Sequence, residues 1–253
     1  MVPRTLEGAL VQAVRSFPVV TVTGPRQSGK TTLLRAAFPD FHYVNLEAID
    51  QRTIAEEDPR GLIRRHLDRG VVIDEAQRVP DLFSYVQTIV DEEGTIGKVI
   101  LSGSQHFLLL EQITQSLAGR AMILHLHPFT VVELPQVLHQ PVDSVLWKGM
   151  YPPLHDRNIA PSAFYPTYIQ SYIERDVRSV RNVGDLSTFS RFLQLCAGRI
   201  GSLLNLSAIA NELGVDHKTV RAWLSVLEAS FVIFLLPPYH RNYNKRVVKQ
   251  PKL

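Results

Sequence analysis

The sequence predicts an α/β fold: a parallel sheet sandwiched by helices around a phosphate-binding loop, then a helical lid and a winged helix-turn-helix. Three observations carry this reading. Val19-Val-Thr-Val-Thr23 is a β-branched run that opens into glycines and then into good helix formers. Gly70-Val-Val-Ile-Asp-Glu75 is a second such run, ending in two acids. Between Leu206 and Leu227, two short stripes of apolar residues at helical spacing flank Gly214.

The first run is dense enough for a strand buried on both faces, and Thr31 to Ala37 favours a helix. Between them, Gly24, Gly29, Lys30 and Thr31 fit the pattern G-x-x-x-x-G-K-[ST]. In such a loop the backbone N–H groups wrap phosphates, the lysine reaches the β and γ oxygens, and the hydroxyl meets Mg²⁺. The residues expected to hold the nucleotide are therefore Gly24, Pro25, Arg26, Gln27, Ser28, Gly29, Lys30, Thr31 and Thr32. A solvent turn with an exposed lysine would need no buried strand beside it.

The second run has the form of a central parallel strand, whose C-terminal edge is where α/β sheets bind ligands. Side chains alternate along a strand, so Asp74 and Glu75 are expected to perform different tasks. Asp74 is assigned to the metal with Thr31, and Glu75 to the attacking water. An ordinary strand end capped by solvated acids would look alike; the glycine loop is what favours the chemical reading.

The loop Gly24-Pro-Arg-Gln-Ser-Gly-Lys-Thr-Thr-Leu33, the strand Val71-Val-Ile-Asp-Glu-Ala-Gln77 and Leu101-Ser-Gly-Ser-Gln-His-Phe-Leu-Leu109 together resemble the prokaryotic AAA+ type ATP-binding proteins related to archaeal ATPases. Leu117-Ala-Gly-Arg120, Gly149-Met-Tyr-Pro152 and Tyr172-Ile-Glu-Arg-Asp-Val177 extend the likeness over nearly the whole chain. The resemblance implies an additional-strand P-loop fold, with a strand between the phosphate-loop strand and the Asp-Glu strand. It implies a polar sensor on that intervening strand, for which Ser102 and Ser104 both qualify; the usual threonine is here Ser102. Adenine rather than guanine rests on the same likeness. So does a cation donated across a subunit boundary, for which Arg120 is the candidate, with Arg26 a second basic group near the nucleotide.

Tyr165, Tyr168, Ile169, Tyr172, Ile173, Val177 and Val180 recur at helical spacing, with Pro166 expected in the first turn. Their tyrosines read as packing, and Arg175 and Asp176 as a polar face of unassigned role. Further on, Leu206, Ile209, Ala210 and Leu213 form one apolar face. Gly214 supplies a left-handed stop, and Asp216 caps a helix that turns Val220, Trp223, Leu224 and Leu227 inward. Its outer face carries Lys218, Arg221 and Ser225 with His217 alongside, chemistry suited to phosphates or base edges. Phe231 to Leu236 reads as a strand and Tyr239 to Arg246 as a basic wing, in which Lys245 and Arg246 add to a DNA-facing surface. Such modules also serve as protein-contact or lid elements.

Pro- and Gly-containing seams suggest three parts: a P-loop core over 1–132, a helical lid over 133–200 and a winged-helix module over 201–253. Members of the resembled family usually continue into a further domain of unknown function, so the expectation is a fragment or shortened form whose last strand lacks a partner.

A chain of 253 residues with 45% hydrophobic content can bury a real core. No signal peptide and no run long enough for a membrane span is evident, and the cytosol is the expected location. Cys196 is the one cysteine, so no internal disulfide is possible, and its setting reads as a core position. The net charge of +3 is too small to imply nucleic acid by itself, but the C-terminal stretch is basic.

Three functions compete: a Mg²⁺-dependent ATPase acting on DNA or a regulatory protein, a slowly hydrolysing nucleotide-gated switch that binds a protein and not DNA, and a small-molecule kinase. A carboxylate poised to activate water argues against the kinase. A finger acting between subunits would make the protein a homo-oligomer.

Overall fold

A computed structural model of the chain describes residues 2–104, 112–113, 115–173, 186–239 and 250–253. Its centre is a five-stranded parallel sheet: β1 (Val19–Thr23), β2 (His42–Asn45), β3 (Val71–Asp74), β4 (Val99–Gly103) and β5 (Ala121–His125), in the spatial order β2-β3-β4-β1-β5. β4 thus lies between β1 and β3, the insertion that the resemblance implies.

Alternation along the strands explains the layering. Val20, Val22, Val72, Ile100 and Leu124 form one core cluster with residues of α1 (Leu6–Ser16) and α2 (Lys30–Ala37). Val19, Val71, Ile73, Val99 and Leu101 form another with α3 (Ile49–Glu57), α4 (Pro59–Arg64) and α5 (Leu82–Glu93). Covering both faces explains why these strands read as continuous apolar runs; each buried Val, Leu or Ile contributes about 1.5–3 kcal/mol. Because every strand is parallel, all C-terminal ends share one edge, where the functional residues gather.

After β5 come a 3₁₀ turn (Pro135–His139), α6 (Val142–Lys148), α7 (Pro152–Asp156) and α8 (Pro161–Tyr168). Gly149 is required here: its φ is +67°, and a Cβ would lie 2.0 Å from the Tyr165 hydroxyl, which donates to the Lys148 carbonyl at 3.0 Å. The described residues fall into two compact units, Met1–Tyr165 and Pro166–Leu253.

Three expectations change. The helix around Tyr165 begins at Pro161, so Pro166 sits inside it, and the chain continues as a π-turn over Ile169–Ile173. Proline deprives the helix of one N–H, and widening of the next turn is a common accommodation. Arg175, Asp176, Val177 and Val180 lie outside the described residues. The strand expected at Phe231 to Leu236 is instead a helix end: Phe231 takes φ +58°, its N–H donates to Glu228, and the Val232 N–H donates to Leu227. This is a Schellman closure with phenylalanine where glycine is usual, which is why the sequence hides it. Finally, the last residues are paired: Lys252 bridges both Leu203 and Leu236 in antiparallel fashion.

The second unit contains α9 (Leu186–Ala197), α10 (Leu206–Leu213) and α11 (His217–Ala229). The side chain of Asn205 caps α10, Gly214 closes it at φ +69°, and Asp216 caps α11, the last two as expected. Phe189 and Phe192 of α9 pack on Trp223 of α11, each 5.4 Å between centroids. Cys196 is buried, and burial pushes its thiol up to about 11, in keeping with a core position. Among the described residues, no helix is long and apolar enough to cross a membrane.

Candidate functional site

The loop after β1 passes close to the backbone beyond β5. A Cβ on Gly24 would sit 2.1 Å from the Leu126 carbonyl oxygen, so only glycine fits. Gly29 takes φ +96° at the start of α2, which turns the loop into the helix. Lys30 is buried and donates to the carbonyls of Gly24 and Pro25 at 2.9 and 3.0 Å. Burial pushes its ammonium down to about 8, against the pull of Glu75 and Asp74, with Arg26 adding to the fall.

Asp74 is the hub. Its Oδ2 accepts from Thr31 Oγ1 at 2.7 Å and from the Tyr43 hydroxyl, and its Oδ1 accepts from Ser102 Oγ at 2.6 Å. The β4 insertion makes this possible, since it brings Ser102 beside the end of β3. Tyr43 is held from its other side by the Arg35 guanidinium, 4.0 Å over its ring, and burial together with the bond to Asp74 pushes its hydroxyl up to about 12.

Glu75 follows immediately in a left-handed conformation, φ +56°, and its own N–H donates to Asp74 Oδ1 at 3.1 Å. Its Oε2 accepts from Gln77 Nε2 at 2.5 Å and from Ser104 Oγ at 3.2 Å. The two serines therefore divide: Ser102 serves Asp74 and Ser104 serves Glu75.

Two features fit a bound triphosphate with its cation. Ser28 Oγ, fully buried inside the loop, has no hydrogen-bond partner among the described residues. The other is the donor set itself: the Thr31 hydroxyl and one Asp74 carboxylate oxygen meet at 2.7 Å, and Mg²⁺ binds through one or two carboxylates plus substrate oxygens. Thr31 and Asp74 would hold the ion, and its charge would neutralise the phosphates. Thr32 and Leu33 line a small cleft with Val2, Arg4, Gly29, Phe129, Pro152 and Asp156, beside the loop.

A family model described as an AAA domain matches residues 16–134, which contain the glycine loop, Asp74, Glu75 and both serines. Residues 16–134 of this chain are thus similar to an AAA domain. A second model, described as a domain of unknown function (DUF8612), matches residues 140–253. The chain is 31% identical over 255 residues to the uncharacterized proteins Rv2008c of Mycobacterium tuberculosis and Mb2031c of Mycobacterium bovis. That match takes in 99% of this chain and 56% of each relative, so the chain spans about half their length. The fold is similar to that of the Walker-type ATPase PABY2304 of Pyrococcus abyssi, with a TM-score of 0.57 at 16% identity over 100% of this chain and 93% of that one.

Other predicted residues lie elsewhere. Arg120 directly precedes β5 at the N-terminal edge of the sheet, about 15 Å of strand from the loop end, and forms a two-pronged pair with Asp91 at 2.7 and 2.8 Å. On α11, Lys218, Arg221 and Ser225 are exposed and His217 is half-buried, while the Ser225 hydroxyl donates to the Arg221 carbonyl. Lys245 and Arg246 lie outside the described residues.

Sequence reasoning missed Arg4, Tyr43, Gln77 and Glu133. Arg4 donates to Ser28 O at 2.7 Å, to His127 O at 2.6 Å and to Glu133 at 3.1 Å, clasping the loop from behind. No local pattern marks it, because its partners are 24 to 129 residues away. Gln77 was findable: it stands two residues past Glu75, in a turn that brings it back.

Proposed function

We propose that the AAA domain binds ATP with Mg²⁺ and hydrolyses it, and that the cycle moves a winged-helix module built from residues 201–253, which contacts DNA or a regulatory protein. One observation carries the reading: Thr31, Ser102 and Tyr43 converge on Asp74, while the adjacent Glu75 takes a separate set of donors, Gln77 and Ser104. A metal carboxylate and a water-directed carboxylate are thereby kept apart at one strand end.

In this mechanism the backbone N–H groups of the loop over residues 24–32, Pro25 excepted, wrap the phosphates, Lys30 leaves the loop carbonyls for the β and γ oxygens, and Thr31 with Asp74 would hold Mg²⁺. Ser28 Oγ gains a partner in a phosphate oxygen. The cleft of Val2, Thr32, Leu33, Phe129 and Pro152 takes the base. Glu75 removes a proton from water as the water oxygen bonds to the γ-phosphorus. The bond to the β-bridging oxygen breaks, and ADP leaves with the electron pair. Ser104, bonded to Glu75, is the better placed of the two serines to sense the γ-phosphate.

Arg120 faces away from the loop of its own protomer, which supports a finger donated to a neighbour in a homo-oligomer. It also favours, as a second reading, a monomer that turns over slowly and works as a nucleotide-gated switch. The exposed row of Lys218 and Arg221 supports nucleic acid contact, and Lys245 and Arg246 would extend it. We infer no membrane association.

Single-turnover cleavage of ATP tests the catalytic reading. Lys30→Ala should lose nucleotide binding, whereas Glu75→Gln should retain ATP with Mg²⁺ and lose cleavage by at least a hundredfold, the lower range for a positioned acid or base. Equal cleavage by Glu75→Gln and the parent would overturn the assignment. For the module, DNA titration across salt concentrations, with and without ATP, should show affinity falling steeply with salt and further in Lys218→Ala/Arg221→Ala. No DNA binding at any salt would leave the protein partner.

A further inference from the structure

Gln77 raises a question that the assigned roles leave open. It is only 7% exposed, its Nε2 donates to Glu75 Oε2, and its Oε1 is buried with no hydrogen-bond partner among the described residues. A buried acceptor left without a donor loses its hydration with no compensating bond, so a persistent one calls for a function. The orientation of the amide is not arbitrary. Facing the carboxylate oxygen Oε2, it must present NH₂ rather than oxygen, because two acceptors would repel; the carbonyl is therefore turned away from Oε2.

Glu75 is correspondingly half-engaged. Its Oε2 takes both donors, Gln77 and Ser104, and among the described residues no hydrogen bond reaches Oε1. A water that is to be deprotonated and aimed needs two acceptors: one removes a proton and the other fixes the second O–H so that a lone pair points at phosphorus. Glu75 Oε1 supplies the first.

We propose that Gln77 supplies the second, holding Glu75 by its NH₂ group and the hydrolytic water by its carbonyl oxygen. The inference rests on the hydrolytic reading above. The water proton that moves goes to Glu75, and the water oxygen bonds to the γ-phosphorus as the bond to the ADP oxygen breaks. The second proton stays on the oxygen that enters inorganic phosphate, bonded to Gln77 throughout. Ser104 fixes the far side of the same carboxylate, so the base has one orientation.

Gln77→Met keeps volume and flexibility while removing both polar groups. Four measurements define the test: single-turnover ATP cleavage, affinity for ADP, affinity for ADP with aluminium fluoride, and Tm. Aluminium fluoride mimics the planar transferring phosphoryl group with its in-line water, and so reads water placement without turnover. Cleavage should fall at least tenfold and affinity for the mimic should fall likewise, while ADP affinity stays within twofold and Tm within a few degrees. In a Glu75→Gln background the Gln77→Met change should cost nothing further, because both residues act on one water. Cleavage and mimic binding unchanged in Gln77→Met would overturn the proposal while leaving the ATPase reading intact. Equal losses in both backgrounds, or a parallel loss of ADP affinity, would assign Gln77 to structure instead. A parent chain that never cleaves ATP would end both readings together.

Discussion

The Thr31 hydroxyl donates to Asp74 Oδ2 at 2.7 Å, so the first turn of α2 and the last residue of β3 meet at a single oxygen. Two residues 43 positions apart are thereby set for one cation, with Ser102 and Tyr43 fixing the carboxylate in place. Removing the charge while keeping the shape isolates the metal role. Asp74→Asn should bind ADP without Mg²⁺ about as well as the parent, but lose at least tenfold of the tightening that Mg²⁺ confers, or about 1.4 kcal/mol. Calorimetric titration of ADP with and without Mg²⁺ measures both terms. An undiminished Mg²⁺ effect would remove Asp74 from the metal site.

Lys30 makes nucleotide affinity depend on pH. In the free protein, burial lowers its pKa to about 8 from 10.5, so it loses its proton as pH rises through that value. A bound triphosphate favours the charged form and raises the pKa again. Binding above about pH 8 must then take up a proton, and affinity should fall as pH rises, approaching tenfold per unit, while remaining flat below about pH 7. Lys30→Arg, whose side chain stays protonated, should flatten the profile. Titrations from pH 7 to 10 in buffers of different ionisation enthalpy would detect both the slope and the proton uptake. A flat parent profile would rule out a deprotonated Lys30 in the free protein.

The sequence made the site legible wherever chemistry is local. The loop, the Asp-Glu pair and the capped helices around Gly214 each declare themselves within a few residues, because glycine geometry, strand alternation and capping act over that range. Ser102 was legible only through likeness: its place beside Asp74 depends on β4 inserting between β1 and β3, a matter of topology that no short pattern encodes. Tyr43 sits on a strand that reads as ordinary, and Arg4 lies outside every motif. The end of α11 misled for a different reason. Phe231 adopts the left-handed conformation that a glycine normally announces, so an apolar run that looked like a strand became a cap.

Arg4 and Glu133 form a pair that is 7% and 2% exposed by side chain, and the Glu133 carboxylate also accepts from the N–H groups of Thr5 and Thr130. Glu133→Ala leaves a guanidinium buried without its counter-ion, and the N-terminal unit should lose about 3–5 kcal/mol. Replacing both partners with apolar residues, Arg4→Met with Glu133→Leu, should lose less. Desolvation raises the Glu133 pKa, but the bonds from Thr130, Thr5 and Arg4 outweigh it, and the carboxyl is held below its usual range. A depressed carboxylate stabilises the fold above its unfolded pKa, and that contribution fades as pH falls through the folded value. Urea unfolding at pH 7 and at pH 3 to 4 would follow both effects. A Glu133→Ala chain as stable as the parent would show that the clasp contributes nothing.

Arg120 offers a test of assembly. Its guanidinium is fastened to Asp91 at the sheet edge opposite the loop, so within one protomer it cannot approach the phosphates that Lys30 faces. If it acts on a neighbour, specific activity should rise with protein concentration, and Arg120→Ala should hydrolyse ATP at least a hundredfold more slowly with unchanged nucleotide affinity. Complementation then separates donation between subunits from a purely structural pair. Arg120→Ala retains its own Glu75 and Glu75→Gln retains its own Arg120, so mixing the two inactive chains should rebuild some complete sites. Activity in the mixture well above the sum of the parts, measured across mixing ratios, is the expected outcome. A mixture no more active than its components, from chains that co-assemble, would remove Arg120 from catalysis and leave it as a partner for Asp91.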